Sequence, residues 1–216
     1  MGLALDPGRG RAIDLQHTDV AAEHLNERFR LFFIIALGET VLTMGDAFAG
    51  EPFEVERLLD LAIGFASTVA LWWCYFQMAD PLGSAAAEAA DDAGRVGWIK
   101  TWMLTFMVLA LVVIAVGDEI AIAHPDDETT LEFTLLTFGG PALFVLAQIF
   151  FLYETVASVP RSRLLALVAL AILAIATAQL TLIAGIAAAC TVLVAVALAD
   201  TVATGEPAPA TSRPRV

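Results

Sequence analysis

The chain has 216 residues, 59% of them hydrophobic and 16% charged, with a formal net charge of −13 and a mean hydropathy of +0.78. Soluble domains carry about 25% charged residues, so the composition excludes an ordinary soluble protein and points to a chain that crosses a membrane several times. The acidic balance, with no basic or aromatic-interleaved patch, excludes a nucleic-acid binder.

The N-terminal residues Gly2 to Gln16 are punctuated by Gly, Pro, Arg and Asp and predict a flexible tail over 1–18. Thr18 or Asp19 then supplies a helix cap. No secretory signal peptide is expected, because the first apolar run starts too late and is too long. That run, 29–48, is about the length of the ~30 Å hydrocarbon core, yet it carries Glu39 at its midpoint. Charged side chains at that depth cost on the order of 2.5–3.5 kcal/mol unless partnered or hydrated. At ~100° per residue, Arg28, Ile35, Glu39 and Asp46 fall within roughly 20° of one line, with His24 about 40° away. Gly38 and Gly45 form a second, smooth line. The expectation is a polar seam turned into the bundle, with Glu39 facing its interior.

The second span, 58–80, ends in the aromatic run Trp72-Trp73-Cys74-Tyr75-Phe76 and is closed by Asp80-Pro81, as a headgroup belt followed by a helix stop would be. An Ala-rich stretch from Gly83 to Gly97 suits a short surface helix. The third span, 98–123, holds Asp118 and Glu119 near its end, and the fourth, 131–156, contains Gly139-Gly140-Pro141 and Gln148. Proline removes a helical donor and crowds the preceding turn, so a kink or unwound turn is expected there. The apolar run Leu164 to Ala199 would reach ~54 Å as one helix. A turn between Gln179 and Gly185 divides it into spans 161–179 and 183–203, leaving 204–216 as a disordered tail. The fold class predicted is all-α, a polytopic transmembrane bundle of about six spans.

The basic residues orient these spans. With the N-terminus inside, ten of the eleven lie in inner segments and Arg57 alone lies outside, as the positive-inside rule requires. Asp46, Asp118 and Glu119 then sit near the outer surface, Glu39 mid-membrane, and His24, Arg28 and Glu154 on the inner side. If the first and third helices touch, carboxylates descend from an acidic vestibule to mid-membrane, an arrangement suited to protons or small cations.

Other constellations are poorer in chemistry. His124-Pro125-Asp126-Asp127-Glu128 holds metal-ligand residue types on an exposed acidic loop, where solvation is the simpler reading, and no zinc spacing, phosphate loop or nucleophile–base pair is present. No metal, cofactor or enzymatic activity is therefore expected. Cys74 and Cys190 lie within predicted spans and suit packing rather than a disulfide.

Five motifs in order, Glu27-Arg28-Phe29, Ile35-Ala-Leu-Gly-Glu39, Trp73 with Tyr75-Phe76, Ala115-Val-Gly-Asp-Glu119 with His124-Pro125, and Gly139-Gly-Pro-Ala-Leu143, resemble the bacterial low temperature requirement protein A (LtrA) family. The resemblance covers about Glu23 to Tyr153; beyond it the last two spans match in character only. It implies an integral membrane protein linked to growth at low temperature and without established catalytic residues; with the charge distribution, the expected place is the bacterial plasma membrane with both termini cytoplasmic. Members of the family are typically near twice as long, so the chain is expected to resemble a C-terminal half, either truncated or a short variant. Asn26 and Arg30 stand where small residues are expected, and Lys100 to Trp102 and Gln148 stand about where histidines are.

Two functions follow as expectations. One is a proton or small-cation transporter or channel-like protein built on Glu39, Asp46, Asp118 and Glu119, supported by His24, Arg28, Gln148 and Glu154. The other is a structural or assembly protein whose buried acids fasten helices. The expected partners are the lipid bilayer and either further copies of the chain or the N-terminal helices of a longer family member.

Overall fold

A computed structural model describes residues 7–50, 52–79, 81, 93–124, 129–177 and 180–205. Six α-helices account for nearly all of them: α1 (Pro7–Ala49), α2 (Val55–Cys74, continued by a wider π-turn over Tyr75–Ala79), α3 (Ala93–Ala123), α4 (Leu131–Val156), α5 (Arg161–Ala176) and α6 (Leu182–Gly205). Five are long and apolar enough to cross a membrane, within His24–Ala49, Val55–Gln77, Gly94–Ala123, Leu131–Thr155 and Leu182–Val202.

The exception is α5, whose 16 residues reach only ~24 Å as a helix. Its extension nevertheless brings Leu180 to the start of α4, where the Leu180 carbonyl accepts a 2.6 Å hydrogen bond from Thr129 Oγ1. The segment thus runs the full height of α4, and the helices alternate in direction. At one end of the bundle lie Lys100 with Asn26, Trp73 with Thr201, and Arg163 with Asp200. At the other, Gly64 packs beside Met44 and Asp118.

Two expectations are corrected here. Where a flexible tail is predicted through residue 18, helix α1 already begins at Pro7, a residue whose fixed φ and missing N–H suit a first helical position. No unwound turn interrupts α4 at Gly139-Gly140-Pro141, because the helix is continuous through Pro141. The glycine there serves packing instead. A Cβ on Gly140 would lie 2.6 Å from Ile114 Cγ1 and 3.3 Å from the Ala110 carbonyl oxygen, so its absence lets α3 and α4 cross in close contact. The connection from α5 to α6 also comes early, with Thr177 capping α5 and α6 starting at Leu182. The Ala-rich segment expected as a surface helix and the 125–128 loop lie outside the described residues, except that α3 starts at Ala93.

The core is apolar and aromatic, with Phe33, Leu71, Tyr75, Met107, Leu111, Phe144 and Phe151 fully enclosed. Phe33 stacks on Tyr75 with ring centroids 4.0 Å apart.

Candidate functional site

Asp118 is carried by α3 in the sequence Gly117-Asp118-Glu119. Gly117 lies against α4, where a Cβ would come 3.5 Å from Thr137 Oγ1. That close approach turns Asp118 inward, to 6% exposure, and leaves Glu119, about 100° further round, on the outer surface. The Asp118 carboxyl lies against α2, since a Cβ on Gly64 would sit 3.3 Å from its Oδ2. Asp60, completely buried, is one turn before Gly64 on the same face, and Ser67 is about one turn after it.

Asp118, Ser67 and Thr137 line a small, partly open cavity with Ile114, Pro141 and Ile186. Its water-accessible volume is about 10 Å³, the lower limit for one water molecule. Among the described residues, Asp118 Oδ2 and Thr137 Oγ1 have no hydrogen-bond partner. Unpaired buried polar atoms cost about 1–3 kcal/mol each, so this cavity is a place where buried polar groups are left with capacity to bind. Its oxygen ligands suit a proton, a water molecule or a hard cation. Among the described residues no group of three or more His, Cys, Asp and Glu side chains is disposed to hold a metal ion, and both cysteines are free and buried.

A second polar layer closes the opposite end. Arg163 of α5 is fully enclosed; its two terminal nitrogens donate to the two carboxylate oxygens of Asp200 on α6, the second bond being 2.7 Å long. Its Nε donates to Gln148 Oε1 at 2.9 Å, and Gln148 Nε2 donates in turn to the Cys74 carbonyl at 3.3 Å. Four helices are joined there, and this network is as fully bonded as the cavity is not.

The polar seam of α1 lies elsewhere than expected. Glu39, Asp46, Arg28 and His24 are all exposed, as is Ile35 on the same line. The stripe that α1 buries is Phe29, Phe33, Leu37, Thr40 and Met44, and the seam lies about 120–140° round the helix from it. Aromatic area decides this rotation: turning Glu39 inward would expose Phe33 and forfeit its stack on Tyr75. The first and third helices do pack together, but Glu39 and Asp46 do not line up with Asp118. His24 makes only a loose 3.9 Å contact with Glu27, and Glu154 pairs with Arg95 at 2.9 Å near the bundle's rim.

Asp60, Arg163 and Asp200 were not singled out from the sequence. Asp60 lies two residues inside the assigned start of its span, and an acid so near an end reads as interfacial. Arg163 counts as a loop charge until α5 is seen to bury it. Asn26 and Lys100, both departures from the resembled pattern, are bonded to each other at 2.7 Å, with the Lys100 ammonium 5.8 Å above the Phe29 ring.

Apolar helices running alternately through one bundle, with polar groups confined to two internal layers, define a polytopic α-helical membrane protein. The chain belongs to the bacterial low temperature requirement A protein (LtrA) family, which matches it over residues 3–199. It is similar to an uncharacterized protein of Rhizobium meliloti (strain 1021), with 36% identity over 132 residues; the match takes in 59% of this chain and 31% of that relative's length. No solved structure matches it.

Proposed function

We propose that this membrane protein passes protons or small cations, with Asp118 rather than Glu39 as the intramembrane carboxyl that carries them. The observation that supports this is the buried, unbonded Asp118 Oδ2 facing a water-sized cavity, with Asp60 one turn away from the glycine it touches. Ionisable groups held inside a membrane bundle mark ion and proton routes. A buried carboxyl that faces room for one water molecule, with a second acid, Asp60, on the neighbouring helix, can take up and release a proton. Apolar side chains of Leu71, Met107, Leu111 and Phe144 separate this cavity from the Arg163 layer, so passage requires the helices to move apart there, as in alternating access. The reading places the chain in the bacterial plasma membrane, surrounded by lipid, with both termini cytoplasmic and the Asp118 end outward. The support for that orientation is the ten basic residues of one side. No catalytic role is assigned to any residue.

The test is proton flux into liposomes reconstituted with the full chain and loaded with a pH-sensitive dye, under an imposed pH gradient. Asp118→Asn keeps the size of the side chain and removes its titration. Wild-type flux that falls at least tenfold in Asp118→Asn, with Glu39→Gln unaffected, is the expected result. A wild-type protein that carries neither protons nor Na⁺ or K⁺ would overturn the reading, and so would an Asp118→Asn variant as active as wild type.

A further inference from the structure

The cavity beside Asp118 has one more oxygen than its side chains supply. Thr137 and Pro141 are one helical turn apart on the face of α4 that lines it. In an α-helix the Thr137 carbonyl would accept a hydrogen bond from the N–H of residue 141, but proline has none. That carbonyl lies between the two side chains, on the cavity side of the helix. With it stand the Asp118 carboxyl and the Thr137 hydroxyl, whose Oδ2 and Oγ1 have no hydrogen-bond partner among the described residues, and the hydroxyl of Ser67 on α2. Asp118 is 6% exposed and Thr137 5%. Gly117 of α3 and Gly185 of α6 both lie against Thr137, so packed helices rather than a loop hold these oxygens in place.

We infer that the Asp118 carboxylate, the Thr137 hydroxyl and carbonyl and the Ser67 hydroxyl bind one Na⁺ ion; the inference rests on the transport reading above and names its cation. Hard cations take carboxylate, carbonyl and hydroxyl oxygens. Backbone carbonyls released from helical bonding coordinate Na⁺ inside membrane bundles. A single carboxylate balances one positive charge, and room for about one water admits an ion stripped of most of its hydration shell. Mg²⁺ keeps several waters and Ca²⁺ takes about 6–8 oxygens, and the cavity accommodates neither. K⁺ is larger than Na⁺ and needs more oxygens around it than this set offers. A water molecule could bond the same atoms, but it leaves the carboxylate charge unbalanced.

The experiment measures equilibrium binding of radioactive Na⁺ to the purified full chain in detergent, at fixed neutral pH with choline as the background cation. Saturable binding that unlabelled Na⁺ displaces, and an equal concentration of K⁺ does not, is expected. Asp118→Asn should abolish it and Glu39→Gln should leave it unchanged. Thr137→Val keeps the shape and removes the hydroxyl; Pro141→Ala returns an N–H to the Thr137 carbonyl and favours the helix. Each should weaken Na⁺ binding about tenfold, as loss of one polar contact does, with helical circular dichroism and gel-filtration profile unchanged. A chain that binds no Na⁺, or K⁺ as readily, would overturn the proposal, and so would full affinity in Thr137→Val or Pro141→Ala, the result expected if the cavity holds only water. Proton flux that depends on Asp118 in a chain without Na⁺ binding would overturn the Na⁺ site and leave the transport reading standing. Na⁺ binding with these variant effects but no flux of any ion would uphold the site and overturn the transport reading.

Discussion

Arg163 and Asp200, 37 residues apart in the chain, meet in a fully enclosed two-bond ion pair at one end of the bundle. The pair fixes the register of α5 against α6, and through Gln148 it reaches α4 and the Cys74 carbonyl of α2. Removing one member of such a pair leaves a buried charge without its partner, which costs about 3–5 kcal/mol, whereas replacing both by apolar residues of similar volume is far less damaging. Arg163→Met and Asp200→Leu should each lower the midpoint of denaturant unfolding in detergent sharply, and the double variant should recover most of the loss. Additive losses in the double variant would contradict this account.

That pair also shows how far the sequence could be read. Arg163 lies 14 residues before Thr177 and Asp200 lies 19 after Thr181, so folding the long apolar run back on itself brings both charges to the same end of the bundle. Testing charges for such a meeting would have found them. The helices themselves were legible because length and hydropathy suffice to mark a span. The rotation of α1 was not, since Glu39 and Phe33 compete for the interior. A lone polar line looks inward until the neighbour that Phe33 stacks on, Tyr75 of the π-turn, is known. The Asp118 cavity was legible by halves. Asp118 itself stands out as an acid inside a span, but Asp60, Ser67 and Thr137 join it only because Gly64 and Gly117 bring their helices together.

The Gly139-Gly140 pair separates packing from propensity. Both are interior to α4, so replacing either by Ala gains helix propensity, about 0.5–1 kcal/mol. At Gly139 nothing lies within 4 Å of the new methyl, whereas at Gly140 it would collide with Ile114 at 2.6 Å and approach the α3 backbone. Gly139→Ala should leave the unfolding midpoint unchanged or slightly raised. Gly140→Ala should destabilise by about 1–3 kcal/mol, the usual cost of overpacking. Two variants of equal stability would mean that α3 and α4 do not cross there.

Ala157, which ends α4, is the one non-glycine residue with positive φ among the described residues, at φ 52° and ψ 26°. An L-residue in this left-handed conformation carries roughly 1–2 kcal/mol of strain, which glycine lacks. Offset by glycine's greater freedom in the unfolded chain, Ala157→Gly should still stabilise the protein, by about 0.5–1 kcal/mol. A drop in the unfolding midpoint would argue that the α4–α5 connection has another conformation.

The two ends of the bundle differ in charge, and that difference predicts which way the protein faces. Arg95, Lys100, Arg161 and Arg163 start α3 and α5 at the Arg163 end, together with Arg28 and Arg30 of α1; among the described residues only Arg57 belongs to the other. Positively charged segments stay on the cytoplasmic side, so the proposed orientation, with the end holding Asp60 and Asp118 outward, is the expected one. With Cys74 and Cys190 replaced by Ala, single cysteines at Glu54 and His124 should react with a membrane-impermeant maleimide on intact cells. Cysteines at Gly94 and Ser158, exposed at the Arg163 end, should react only after the cells are opened. Inverse labelling would reverse the direction of the proposed flux while leaving the bundle as described. Labelling at Glu54 and Ser158 together would mean that α2 to α4 do not cross as three successive spans, because three crossings put those two positions on opposite sides.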